Sequence, residues 1–160
     1  MPALLPYDRT AGVSYATKWA LKRNPEYYSF DKIGGDCTNF ISQCLYAGAK
    51  RMNYTMTFGW YYNSVSSRSP SWTGAPFLNR FLKTNEKTGP QAVFVQQEHL
   101  TPGDIIQLQD EAGRIYHSLF VVSVKDEILI CAHDDDSFFR PLNTYNYANA
   151  LYLKIIGVGA

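Results

Sequence analysis

The residues Gly34-Gly-Asp-Cys-Thr-Asn-Phe40 set a cysteine where a glycine loop turns into a helix. Cys37, Phe40, Ile41, Cys44, Leu45 and Gly48 recur at intervals of three and four, so residues 37–47 read as a buried helix with Cys37 in its first turn. Asp36 precedes it as an N-cap candidate, while Gly34 and Gly35 allow positive φ and close approach of a substrate chain. Unpaired N–H groups and the positive end of the helix dipole favour thiolate there over a free thiol of pKa about 8.5, and thiolate is the nucleophilic form. The other use of such a cysteine is as a small apolar residue closing a core helix. Cys44, on the same helix, and Cys131, within Ile128-Leu-Ile-Cys-Ala132, lack the polar setting and read as packing residues.

A thiol nucleophile needs a base within hydrogen-bond reach and a third group holding that base in place. Of the three histidines, His99 lies in a polar loop before Thr101-Pro-Gly-Asp104 and reads as a surface residue. His117 sits near the start of the apolar run 116–124, where an unpaired polar ring costs about 1–3 kcal/mol; it is either satisfied by a backbone carbonyl or placed for the cysteine. His133 ends the next apolar run, just before Asp134-Asp-Asp136. In a hairpin around Lys125-Asp126, the position facing His117 is 133 or 134, depending on turn length. His133 would orient the base through a ring nitrogen, Asp134 by charge. The acidic triplet lacks zinc or calcium-loop spacing, so it reads as a solvated turn, and neither metal nor cofactor is expected.

The elements that must position these groups follow from pattern. Val13, Ala16, Ala20 and Leu21 mark a helix over 9–23, stopped by Asn24-Pro25. Phe77, Leu78, Phe81 and Leu82 mark a short third helix. Beyond Val93 the chain turns β-rich, with strands expected over 105–109, 115–124, 128–132 and 151–158. Helices first and antiparallel strands second is an α+β order, and 160 residues with 46% hydrophobic content suit one domain over 1–160.

A net charge of +1 gives no pull toward nucleic acid or an anionic membrane. The apolar stretch after Met1 is too short for a membrane span or signal peptide, so no export address is read and localisation is left open. Three cysteines without Cys-x-x-Cys spacing argue against a disulfide scaffold, zinc finger or redox motif. The aromatic cluster Phe58-Gly-Trp-Tyr-Tyr-Asn63, with Trp60 at its centre, suits either a cleft for sugars or peptides or packing against helices.

The stretch Gly34-Gly-Asp-Cys-Thr-Asn-Phe-Ile-Ser-Gln-Cys-Leu45, with Tyr7-Asp-Arg, Arg23-Asn-Pro, Gly59-Trp-Tyr-Tyr, Ser69-Pro-Ser-Trp72, Pro102-Gly-Asp104 and His117, resembles the putative amidase domain family. That family is a bacterial branch of the papain-like cysteine peptidases, related to the NlpC/P60 and CHAP cell-wall hydrolases. The resemblance implies a papain-like fold, N-terminal helices packed on a C-terminal antiparallel sheet. It implies Cys37 as nucleophile, His117 as base and acid, and His133 as third member, with Asp134 the alternative. It further implies substrate contacts from Asp36 and an upstream aromatic, Tyr28 or Tyr27, with Trp60 from the aromatic cluster. The expected activity is hydrolysis of a peptidoglycan stem-peptide amide through a thioester, by a monomer. A silent wall-binding module and a thiol acyltransferase are the alternatives.

Overall fold

The computed structural model describes residues 3–160. Met1 and Pro2, which open the stretch read as carrying no leader and the range expected to form one domain, lie outside the described residues. Helix α1 (Arg9–Trp19) starts where the Asp8 carboxylate accepts the Ala11 amide at 3.0 Å. It ends short of the expected terminator, which leaves Leu21 outside the helix and 63% exposed instead of on the buried face. Gly12, Ala16 and Ala20 form that face. Helix α2 (Cys37–Ala49) is sunk into the core, with Phe40, Ile41, Cys44 and Leu45 fully buried.

A small hairpin, β1 (Tyr62–Ser64) with β2 (Ser67–Arg68), leads to α3 (Pro70–Thr73) and α4 (Ala75–Thr84). Leu78, Phe81 and Leu82 turn α4 onto the core, as their spacing requires. The remaining chain forms β3 (Gly89–Phe94), β4 (Ile105–Gln109), β5 (Ile115–Ser123), β6 (Leu129–Ala132), β7 (Ser137–Pro141) and β8 (Asn149–Gly159). These pair in the order β3-β8-β4-β5-β6-β7, antiparallel throughout, so the α+β class holds. Two edge strands went unread in the sequence. Val93 and Phe94 of β3 and Phe138 and Phe139 of β7 are exposed, so neither strand shows the alternation of a half-buried one.

Alternation divides the central strands cleanly. Ile105, Phe120, Cys131, Leu153 and Ile155 face the helices; Ile106, Leu108, Leu119, Val121, Ile130 and Ala132 face the other side, where Leu100 and Leu142 cover them. Among the described residues, no helix is long and apolar enough to cross a membrane.

Asp104 ties the N-terminal helix to the sheet. Fully buried, it accepts from Arg9 Nη1 at 2.8 Å, the Ile155 amide at 3.0 Å, the Thr101 amide at 2.9 Å and Lys154 Nζ at 3.2 Å. Removing one member of a buried, hydrogen-bonded charge group strands its partners. Asp104→Ala is expected to cost about 3 kcal/mol in denaturant unfolding, and a loss below about 1 kcal/mol would contradict this role.

Candidate active site

Gly34 and Gly35 hold φ of 80° and 99°, reversing the chain ahead of α2. A Cβ on Gly35 would lie 2.6 Å from Asp134 Oδ2, so this position requires glycine for space as well as for conformation. The close approach has a purpose: both Asp134 carboxylate oxygens accept the Asp36 amide, at 2.9 and 3.0 Å. A negative charge from the turn after β6 thereby meets the positive end of α2.

The Asp36 side chain does not cap the helix in the expected way. Its Oδ1 accepts the Phe30 amide at 2.8 Å and Asn39 Nδ2 at 2.9 Å. Its Oδ2 accepts His133 Nδ1–H at 2.7 Å, with the Arg23 guanidinium 3.6 Å away. At 1% exposure and fully engaged, this carboxylate has no surface to offer a substrate, which corrects the contact role expected for Asp36.

His133 is corrected likewise. It is buried, stacks on Phe40 with ring centroids 4.0 Å apart, and sets Nε2 against the Trp19 carbonyl at 2.8 Å and Arg23 at 3.1 Å. Both ring nitrogens are engaged on the helix side, so neither is turned to His117. The reason is that β6 ends at Ala132, so His133 and Asp134 lie in the turn that follows rather than on a strand facing β5. Of the two candidates for third member, Asp134 is the one whose charge acts on His117, raising its pKa.

The Cys37 sulfur lies 3.7 Å from Thr38 Oγ1, with the Ser118 backbone N–H near enough to lower its pKa. Burial pushes this thiol's pKa up; the Thr38 and Ser118 donors pull the other way, and the Asp134 charge adds to the rise. The sequence pointed to a thiolate favoured by the helix end, but desolvation outweighs that local effect. His117 adjoins Ser118 on β5, yet alternation sends its ring to the other face, 5.8 Å from the Tyr145 ring. Burial lowers its pKa, against the pull of Asp134. Among the described residues no hydrogen bond joins the sulfur to the imidazole. At neutral pH the free protein therefore holds both the thiol and the imidazole uncharged.

Tyr28 is 41% exposed, with its carbonyl accepting Asn39 Nδ2 at 3.0 Å, which fixes it to the first turn of α2. Tyr27 stacks on Trp72 instead. Trp60, expected as a substrate contact, is a core residue: fully buried, 4.8 Å from Trp72 between ring centroids, its Nε1 donating to Ser42 Oγ at 3.1 Å. His99 is exposed, and Cys44 and Cys131 are free, buried thiols. Arg23, which spacing did not single out, binds Asp31 and Asp136 at 2.8 Å each and holds the Asp31 carboxyl down to about 2. A concavity of about 260 Å³ lies away from these groups, between Phe58, Phe77, Arg80 and Phe81.

Residues 6–156 match the family model described as Putative amidase domain. The chain is 44% identical over 121 residues to a Bacillus subtilis (strain 168) protein described as uncharacterized protein YhbB, an alignment covering 73% of this chain and 37% of that protein. The chain thus spans well under two thirds of that relative's length. No solved structure matches.

A buried carboxylate–imidazole contact has a measurable signature. Asp36→Ala and His133→Ala should each lower stability by about 3 kcal/mol, and the double variant should lose less than their sum by about 1 kcal/mol or more. Additive losses in urea unfolding would contradict the pairing.

Proposed function

This chain belongs to the Putative amidase domain family, and we propose on that footing that it is a papain-like cysteine amidase acting through Cys37. The observation carrying the proposal is that Cys37 opens α2 with its sulfur under the Ser118 amide, next in sequence to His117, with the Asp134 charge felt by both groups. An antiparallel sheet bearing the histidine, packed against the helix bearing the cysteine, supports the papain-like assignment.

Because thiol and imidazole both rest uncharged, the pair works by general-base activation rather than as a preformed ion pair. The reaction requires the His117 ring to swing from its place by Tyr145 to the sulfur when substrate binds, since a base must come within hydrogen-bond reach of the proton it takes. Neutral His117 takes the thiol proton as sulfur attacks the amide carbonyl. The oxyanion that forms is held by the Cys37 backbone N–H and one further donor. His117 then gives its proton to the departing amine as the C–N bond breaks, leaving a thioester on Cys37. Water attacks that thioester, losing a proton to His117, and the acid leaves with the thiol restored. Asp134 stabilises the imidazolium formed in each half. His133 and Asp36 position the helix carrying the nucleophile. The substrate we assign is an amide of the peptidoglycan stem peptide, with exposed Tyr28 beside the nucleophile's helix as a contact.

Cys37→Ala incubated with purified peptidoglycan should release no peptide fragments above background, whereas release equal to wild type would remove Cys37 from the reaction. The low pKa of His117 keeps it a competent base below its ordinary value, so the acid limb of kcat/KM should fall beneath about pH 6.5. Because the Asp134 charge raises that pKa, Asp134→Asn should move the limb to still lower pH and reduce kcat about tenfold or more. A limb above the ordinary histidine value, or one unmoved by Asp134→Asn, would contradict these roles. Tyr28→Ala should raise KM with little change in kcat. A fall in kcat at constant KM would place Tyr28 in the chemistry instead.

A further inference from the structure

Four polar side chains form a line through the core to Cys37, and its amide end sets which way the hydroxyls beyond it can donate. Asn79, Gln107, Ser118 and Thr38 are all buried, the last three at 1% exposure or less. Gln107 presents one end to the Ala75 carbonyl at 2.9 Å; a carbonyl only accepts, so that end is the NH2. Its other end, the amide oxygen, accepts Asn79 Nδ2 at 2.9 Å. The same Gln107 NH2 donates to Ser118 Oγ at 3.1 Å. Ser118 Oγ has one other partner, Thr38 Oγ1 at 3.1 Å, so donating there is the arrangement that satisfies its own proton. With Thr38 accepting there, its own proton is directed at the Cys37 sulfur, 3.7 Å away.

We propose that Thr38 is a dedicated donor to the Cys37 sulfur, its hydroxyl aimed by a buried one-way relay from Asn79 through Gln107 and Ser118. This rests on the reading of Cys37 as nucleophile and deepens it, by naming what holds the sulfur's negative charge once the proton has left. Burial and the Asp134 carboxylate oppose that charge, and the Thr38 hydroxyl and Ser118 backbone N–H are what favour it. Thr38 acts together with the Ser118 backbone N–H, so both donors reach the sulfur from groups set by the same stretch of β5. Gln107 and Ser118 are positioning residues, since they act on the sulfur through Thr38.

Alkylation of Cys37 by iodoacetamide, followed by peptide mass spectrometry across pH, reads the thiolate without any substrate. In Thr38→Val the rate at pH 8 should fall about tenfold, as expected for losing a hydrogen bond to a charged group, and the profile should move to higher pH. Thr38→Ser should restore the wild-type profile, and Gln107→Met, which removes the group that sets the relay's direction, should shift it part of the way. A Thr38→Val profile that superimposes on wild type overturns the proposal, as does a Thr38→Ser profile displaced as far as that of Thr38→Val. If Thr38→Val does not fold, Ser118→Ala serves in its place: a shift toward higher pH supports the relay and an unmoved profile overturns it. Failure to cleave peptidoglycan with these shifts present would sink the hydrolase reading and leave the relay intact. Intact cleavage without the shifts would sink the relay alone.

Discussion

The contact on which this structure turns is the one between Asp36 and His133. A carboxylate and an imidazole, each buried to 1% exposure, meet at 2.7 Å across 97 residues of chain. Burying a carboxylate costs several kcal/mol unless it is paired and hydrogen-bonded, and here the Phe30 amide, Asn39 and His133 fill its acceptor positions. The consequence lies one residue further on in each segment. Cys37 follows Asp36 and Asp134 follows His133, so this clamp sets both the proposed nucleophile and the charge proposed to steady its base.

Around this clamp the two groups proposed to react start without charge. Burial raises the Cys37 thiol and lowers His117, and each effect disfavours the ionised form. In the proposed reaction substrate would draw the two groups together, and charge would develop where donors are already in place, the condition under which fixed dipoles lower a barrier most. Arg23, bound to Asp31, Asp136 and the Asp36–His133 pair, closes the outer side of the clamp and ties the loop before α2 to the turn after β6.

Much of this was readable in the sequence because it depends on period. The helical spacing after Gly35 located α2 and its first residue, and the apolar runs located β4, β5, β6 and most of β8. Edge strands β3 and β7 escaped because an exposed edge needs no alternation. Where His133 and Asp134 point could not be read from strand period, because β6 ends at Ala132 and both lie in the turn beyond it. Trp60 illustrates a different limit, since an aromatic cluster has the same composition in a core as in a cleft. The direction of the Cys37 shift was out of reach for a further reason: a helix end is local and visible in sequence, whereas desolvation comes from the whole fold packed over the sulfur.

The central claim is that an amide is cleaved through a covalent intermediate on Cys37. Its most direct test is to mix the protein with excess peptidoglycan stem peptide, quench with acid within a turnover, and map the digest by mass spectrometry. The account predicts the acyl fragment's mass on the peptide carrying Cys37, lost on treatment with hydroxylamine and absent from Cys37→Ala. Product formation with Cys37 unmodified throughout, or with the acyl group on another residue, would contradict it.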